Sequence, residues 1–358
     1  MFKKLLLGIT GTALILGFFL SVVLYWAMPF FPSDQQQEQM RATNADSLDY
    51  LNSALPPLRG KILAIVTSVR TLGHTAKPTG YELSELARAY WVFSINGFRV
   101  DIASPEGGEP YALLDDEDMG EFDYAFLNDA VAQYKMKNTV RLDEINPEDY
   151  VALYFVGGKG AMFDFPDNPA IHHLLSHFVQ QQKTIAAVCH GPAALVNVKD
   201  VDGNWLVANK RIGAFTNAEE LLLIPEAQEI FPFLLQSKLE QRGARFIAGA
   251  NYLEMVVRDN YLITGQNPWS VWLLAEETVK HLGYEPLPRT LTAEEHSVAL
   301  LQLYQAQGLS AAETMVQTSA VEFSGQLVLL HAFVAFMSGE IFDMFALILL
   351  ADSLRAEL

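Results

Sequence analysis

Thr184-Ile185-Ala186-Ala187-Val188-Cys189-His190-Gly191-Pro192-Ala193-Ala194-Leu195 is the stretch that decides the fold. Residues 184–188 are small or β-branched and apolar, the composition of a strand buried on both faces of a parallel sheet. Gly191 permits a tight turn, and Pro192 suits the first turn of a helix, where its missing N–H costs nothing. The single cysteine of the chain therefore falls where a strand gives way to a helix. This is the thiol counterpart of a nucleophile elbow, which lifts a side chain above the end of a sheet. The N–H groups and positive dipole end of the following helix favour thiolate over thiol. A cysteine is also an ordinary small core residue, so the local pattern alone admits an inert Cys189.

Outward from this stretch, strands alternate with helices. Residues 61–68 (KILAIVTS) form an apolar strand, and residues 82–96 have helical spacing with Gly97 as C-cap. Residues 98–104 are a second strand. Residues 151–156 are a third, ending in Gly157-Gly158-Lys159-Gly160, and a helix over about 168–182 leads into the cysteine strand. Beyond it the pattern predicts a strand over 206–215, a helix over 233–242, a hairpin of 253–258 and 261–264 turning at Asp259-Asn260, and a helix over 270–282. Such alternation calls for a mostly parallel sheet covered on both faces, with ligands bound beyond the carboxyl ends of its strands.

The chain has 358 residues, of which 51% are hydrophobic, enough for a full core with appendages. A formal charge of −18 with no basic stripe excludes nucleic acid as a partner. One cysteine makes no intramolecular disulfide, so cysteine usage leaves the redox compartment open.

Lys3 and Lys4 precede a run from Leu5 to Phe31 without a charged residue, long enough to span a bilayer. Tyr25 and Trp26 suit an interfacial aromatic belt. A cleaved signal peptide is the rival, but no small-x-small cleavage site is convincing. The expectation is a single-pass N-terminal transmembrane anchor over residues 1–32. The lysines would stay in the cytoplasm, with the main domain on the periplasmic or extracytoplasmic side. Residues 33–59, rich in glutamine and ending near Pro56-Pro57, are expected to be a linker. Residues 60–286 form the main domain, and 287–358 a C-terminal helical extension. In that extension Glu340 and Asp343 separate the apolar runs 327–337 and 344–351. Two carboxylates near a bilayer centre are costly, which favours a helical hairpin packed on protein over a membrane-dipping element.

The run 155–169 (FVGGKGAMFDFPDNP) followed by Ala187-Val188-Cys189-His190-Gly191-Pro192 resembles the PfpI superfamily, the class I glutamine-amidotransferase-like proteins. The closest branch is that of the heat-shock glyoxalase III and chaperone proteins. Residues 80–85 (GYELSE), 103–108 (ASPEGG), 215–220 (FTNAEE) and 264–268 (TGQNP) extend the likeness in order over about 61–283. The resemblance implies a flavodoxin-like three-layer sandwich. It also implies Cys189 as nucleophile, His190 as acid–base neighbour, Glu85 approaching the thiol, and Glu220 (or Glu219, one register away) holding the histidine. Gly158, Lys159, Gly160 and Gly191 would surround the substrate. No metal, cofactor or glutathione is implied.

That chemistry is coherent. A thiolate adds to an α-oxoaldehyde such as methylglyoxal, donors steady the oxyanion, and a carboxyl of raised pKa moves a proton between adjacent carbons to give a 2-hydroxy acid. Two departures from the branch stand out: Lys159 replaces a usual histidine, and Arg88-Ala89 a usual His-Pro. Extra positive charge at the mouth of the cleft suits an anionic substrate, or marks a lineage without glyoxalase activity. Other readings of the same fold are a cysteine hydrolase or amidase, and a non-catalytic membrane-tethered chaperone or redox sensor whose C-terminal helices bind partners. A homodimer through that apolar run is a further expectation. A glutaminase pairs its cysteine with a distant His-x-Glu, and this chain has none.

Other clusters have plainer readings. His173 and His177, beside His172, lack a third metal ligand and read as a surface cluster. Asp200-Val201-Asp202-Gly203-Asn204 opens like a calcium loop, but Arg211 stands at the twelfth position, so a turn is expected. Asp115-Asp116-Glu117-Asp118 reads as a solvated loop. Gly157-Gly158-Lys159-Gly160 lacks the spacing and the Ser/Thr of a phosphate loop.

Overall fold

Residues 62–65, 152–155 and 184–188 lie side by side at the centre of one seven-stranded sheet. The computed structural model describes residues 25–114 and 119–355. The sheet strands are β1 (Gly60–Ile65), β2 (Phe98–Ser104), β3 (Val140–Arg141), β4 (Ala152–Phe155), β5 (Thr184–Val188), β6 (Val256–Asp259) and β7 (Leu262–Gly265). Their order is β6-β7-β5-β4-β1-β2-β3, and every neighbouring pair is parallel except β6 with β7. β4, β5 and β7 are buried at every residue, so they show no alternation.

From β1 the chain builds outward through β2 to β3, then returns to place β4 and β5 on the other side. The switch point between β1 and β4 opens a crevice at the carboxyl ends of the strands. The registers Ile65 with Phe155 and Phe155 with Ala187 bring the ends of β1, β4 and β5 level.

Helices cover both faces. Leu63, Ile65, Leu153, Phe155, Ile185 and Ala187 share an apolar cluster with Ile171, Leu174, Leu175 and Phe178 of the helix Pro169–Gln180. Those four recur at helical spacing, and the Asn168 side chain caps the helix by accepting from the N–H groups of Ala170 and Ile171. On the other face Tyr154 meets Phe93 of α1 (Leu83–Ile95) edge-on, centroids 5.6 Å apart. The helix Val271–His281 packs beside α1. The three-layer, mostly parallel sandwich is the expected architecture.

The chain divides into two compact units, residues 39–290 and residues 1–38 with 291–358. The expected anchor lies outside the described residues up to residue 24. Among the described residues no helix is long and apolar enough to cross a membrane. The expected linker, residues 33–59, contains the helix Asp34–Arg41 and short 3-10 turns. Buried Tyr50 and the Asn128 amide, which donates to the carbonyls of Arg41 and Thr43, fix its later part to the sandwich.

Strand bounds also shift. The run 206–215 keeps only Arg211–Ile212 as strand, because Asn209 takes a left-handed φ of 61° and breaks the extension. The run 253–258 starts pairing at Val256, since Tyr252 sits at φ 56° and the Met255 N–H goes to Ser270 Oγ. Asp200 Oδ1 accepts from the N–H groups of Asp202 and Asn204, which makes a turn of that segment. His172 bonds the Pro166 carbonyl, and His177 lies 3.6 Å from Glu148. Residues 115–118 lie outside the described part.

In the other unit the helices are Ala293–Gln307, Leu309–Thr318, α2 (Gly325–Met337) and α3 (Ile341–Leu354). Thr292 and Glu295 form a reciprocal capping box at the first of them. α2 and α3 form the expected hairpin, turning through Ser338-Gly339-Glu340. Asp343 stays in it by accepting from the Tyr304 hydroxyl at 2.6 Å.

Candidate active site

Cys189 has a φ of 57°, a conformation that a non-glycine residue keeps only under constraint. Two backbone bonds supply that constraint: Cys189 N–H donates to Gly265 O, and Phe215 N–H donates to Cys189 O, both at 2.9 Å. β5 thus ends in a sharp elbow. The turn that follows is a five-residue 3-10 helix, Gly191–Leu195. Gly191 has a steric role, because any Cβ there would collide with the Phe155 carbonyl.

Both ring nitrogens of buried His190 are engaged. Nδ1 lies 3.3 Å from Cys189 Sγ and Nε2 lies 2.5 Å from Glu220 Oε2. The ring is flanked by Phe215 and Phe231, at centroid distances of 4.6 and 6.2 Å. With Nε2–H committed to the carboxylate, Nδ1 is left to accept the thiol proton.

The choice between Glu219 and Glu220 is resolved by direction. Glu219 caps its own helix: Oε2 accepts from Thr216 N–H and Oγ1–H, and Oε1 from Tyr252 N–H, Gln266 Nε2 and Asn267 Nδ2. Glu220 is the one that reaches the imidazole.

Glu85 comes from the first turn of α1 and is fully buried. The Tyr154 hydroxyl donates to its carbonyl at 2.7 Å, and its Oε2 accepts from Gly157 N–H at 2.7 Å. Its carboxyl and the Cys189 thiol bear on one another's protonation, while Oε1 has no partner. Burial first, and the charge of Glu82 second, push the Glu85 carboxyl up to about 8. The thiol is raised too, by burial first and then by Glu85. This corrects the expected preference for thiolate, since five residues of 3-10 helix do not outweigh desolvation.

Gly157, missed as a site residue in its own right, stands between the two reactive groups. A Cβ there would lie 2.5 Å from Glu85 Oε2 and 2.8 Å from Cys189 Cβ. Its signal was the first position of the glycine run. Phe215 and Phe231 were missed as well, and only Phe215 lay in a stretch carrying the resemblance.

Gly158 (φ 96°) packs so tightly on residues 80–82 that a Cβ would meet Gly80 O at 2.5 Å. Gly160 N–H donates to Gly80 O. Among the described residues, nothing accepts from the N–H of Gly158 or of His190, the residue after the nucleophile. These are the two candidate oxyanion donors. Lys159 is half-buried, and its charge favours the ionised forms of both Glu85 and Cys189.

Arg88 is a correction. It is buried, and its Nε and Nη2 donate to Asp123 Oδ2 at 3.3 and 3.1 Å, so its charge is matched inside the protein and absent from any cleft mouth. A cleft of about 610 Å³ lies at the opposite end of β5 and β7, lined by Gln182, Tyr261 and His281. It contains none of the groups above.

The DJ-1/PfpI family model matches residues 76–221. Over 212 residues the chain is 32% identical to a putative glutathione-independent glyoxalase, hsp3105, of Schizosaccharomyces pombe, covering 56% of this chain and 84% of that protein. The chain belongs to the DJ-1/PfpI family. Among solved structures, it is similar to the Rapid Encystment Protein 24 kDa of Francisella tularensis, with 32% identity and a TM-score of 0.60 over 62% of this chain and 99% of the other. It is also similar to glyoxalase III of Candida albicans, with 25% identity and a TM-score of 0.57 over 63% and 98%. The DJ-1/PfpI match falls wholly within the unit of residues 39–290.

Proposed function

We propose that this protein is a glutathione-independent glyoxalase that converts small α-oxoaldehydes such as methylglyoxal into 2-hydroxy acids at Cys189. The observation that carries the proposal is the placement of one strained thiol between two proton carriers, the His190–Glu220 pair and the buried Glu85 carboxyl. Relatives named glutathione-independent glyoxalases support the choice of substrate.

Cys189 passes its proton to His190 Nδ1, and the sulfur adds to the aldehyde carbon. The carbonyl electron pair becomes an oxyanion facing the N–H groups of Gly158 and His190. The hydrogen on that carbon leaves as a proton to Glu85, and its electron pair forms the enediol. Return of the proton to the adjacent carbon, while His190 hands the proton it took from the thiol to the oxygen on that carbon, gives a thioester of the 2-hydroxy acid and leaves the imidazole neutral. Water, deprotonated by His190, then breaks the carbon–sulfur bond, releasing the acid and restoring the thiol. A carboxyl poised near 8 changes protonation state close to neutral pH, as this shuttle requires. The oxidation-sensor reading gains no support, because sensor thiols are exposed and of low pKa whereas this one is buried and raised.

We further propose that the uncharged run beginning at Leu5 anchors the chain in a membrane through residues 5–24, with the DJ-1/PfpI unit on the extracytoplasmic side. The test of the activity is lactate formation from methylglyoxal without glutathione. The full chain should form lactate and Cys189→Ala should not. Equal rates would overturn the assignment.

A further inference from the structure

The α2–α3 hairpin carries an apolar face that nothing among the described residues of its own unit covers. Leu330, Phe333 and Phe336 recur along one side of α2, and Phe342, Phe345 and Leu349 along one side of α3. Phe342 is 91% exposed, and Phe333, Phe336, Phe345 and Leu349 are each more than half exposed. Exposed side chains of this size, contiguous on two neighbouring helices, mark an interaction surface.

The N-terminal chain enters at one end of this face. Trp26 Nε1 donates to Asp352 Oδ1 at 2.9 Å, and Asp352 follows Phe342, Phe345 and Leu349 at helical spacing. Phe30 packs on Trp26 at a centroid distance of 5.2 Å and closes over Gly325 at the start of α2. Tyr25 and Met28, beside these pinned residues, are exposed. The uncharged run that begins at Leu5 therefore leads straight into a segment fastened to the hairpin. Phe342 and Asp352 are ten positions apart, which is roughly 15 Å of helix, so the whole α3 stripe lies close to where that run ends.

We infer that the exposed face of the α2–α3 hairpin is a lipid-contacting surface that lies in the interface of the same bilayer that takes residues 5–24. This deepens the anchoring proposal above and rests on it. The carboxylates of α3 fit a face-down placement, because Asp343 is engaged by the Tyr304 hydroxyl, and Asp352 by Trp26 and Arg355. Residues 325–354 contain no lysine or arginine. The attraction is then apolar, and it needs no anionic lipid.

The test uses the full chain in phosphatidylcholine bilayers on a Cys189→Ala background, with nitroxide labels attached at Phe342→Cys, Phe345→Cys, Leu14→Cys or exposed Val201→Cys. The expected result is a several-fold higher ratio of oxygen to nickel-chelate accessibility at 342 and 345 than at 201. Nickel access at 342 equal to that at 201 overturns the inference. So does exclusion of both reagents at 342, which means that a second copy or residues 1–24 cover the face. The label at 14 reads the anchor separately. If 14 lies in lipid and 342 in water, the hairpin inference fails alone; if both lie in water, the anchor reading fails with it. Lipid at 342 with water at 14 overturns the shared bilayer, because the hairpin would then touch lipid without the anchor.

Discussion

His190 Nε2 lies 2.5 Å from Glu220 Oε2, which commits that nitrogen as a donor and turns the other toward sulfur. Glu220→Gln keeps the volume but offers an amide that can present its own donors to Nε2. The imidazole then loses its fixed tautomer. We expect kcat for lactate formation to fall by about 10²–10⁴-fold, with KM and Tm changed much less. Initial rates and thermal unfolding check this together.

Glu219 makes the opposite case one residue away. Its carboxylate is fully buried and accepts five hydrogen bonds, two from Thr216 at the helix cap and three that tie the helix Asn217–Leu223 to Tyr252, Gln266 and Asn267. Glu219→Gln places an amide donor among donors. Stability should fall by roughly 3 kcal/mol, seen as a lower midpoint in urea unfolding. Activity of the fraction still folded should drop far less than for Glu220→Gln.

Gly157 is the spacer of the reactive pair. Gly157→Ala pushes a methyl group against both Glu85 Oε2 and Cys189 Cβ, so one of them must move. Turnover should be lost while the fold survives, because the substitution lies beyond the end of β4. Circular dichroism and the rate of thiol alkylation test this: the variant should keep its spectrum and show an altered alkylation rate.

Glu85 sets a pH dependence whose sign follows from its burial. Its carboxyl is raised from 4.5 to about 8. Below 4.5 the folded and unfolded chains both hold the proton, and the stabilisation is fully present. Between about 4.5 and 8 the unfolded chain releases it first, so the wild type loses stability at up to about 1.4 kcal/mol per pH unit relative to Glu85→Gln. Urea midpoints of both proteins against pH should converge at low pH and diverge as pH rises. Parallel curves would contradict the assignment. The activity limb near 8 belongs to the Glu85–Cys189 pair, not to either group alone.

The sheet and its elbow were legible because residues 62–66, 151–156 and 185–188 are apolar without interruption, and because one glycine and one proline follow the Cys189-His190 pair. Burial at a switch point leaves that mark in composition. The direction of the thiol shift was not legible. It depends on how completely α1 and β4 exclude water from Glu85 and Cys189, which no local pattern encodes. Arg88 misled for a similar reason: its partner Asp123 lies 35 residues away, and only the packing of α1 against residues 121–128 brings them together. Phe231, from the helix–loop segment beyond Glu220, reaches His190 with no spacing signal at all.

The most direct test of the sulfur's role is rapid-quench mass spectrometry of the full chain mixed with methylglyoxal. The mechanism predicts a transient adduct of one methylglyoxal unit on the peptide carrying Cys189, rising before lactate and decaying as lactate accumulates. It should persist longer in Glu85→Gln. Lactate appearing at the wild-type rate with Cys189 never modified would contradict covalent catalysis by this thiol.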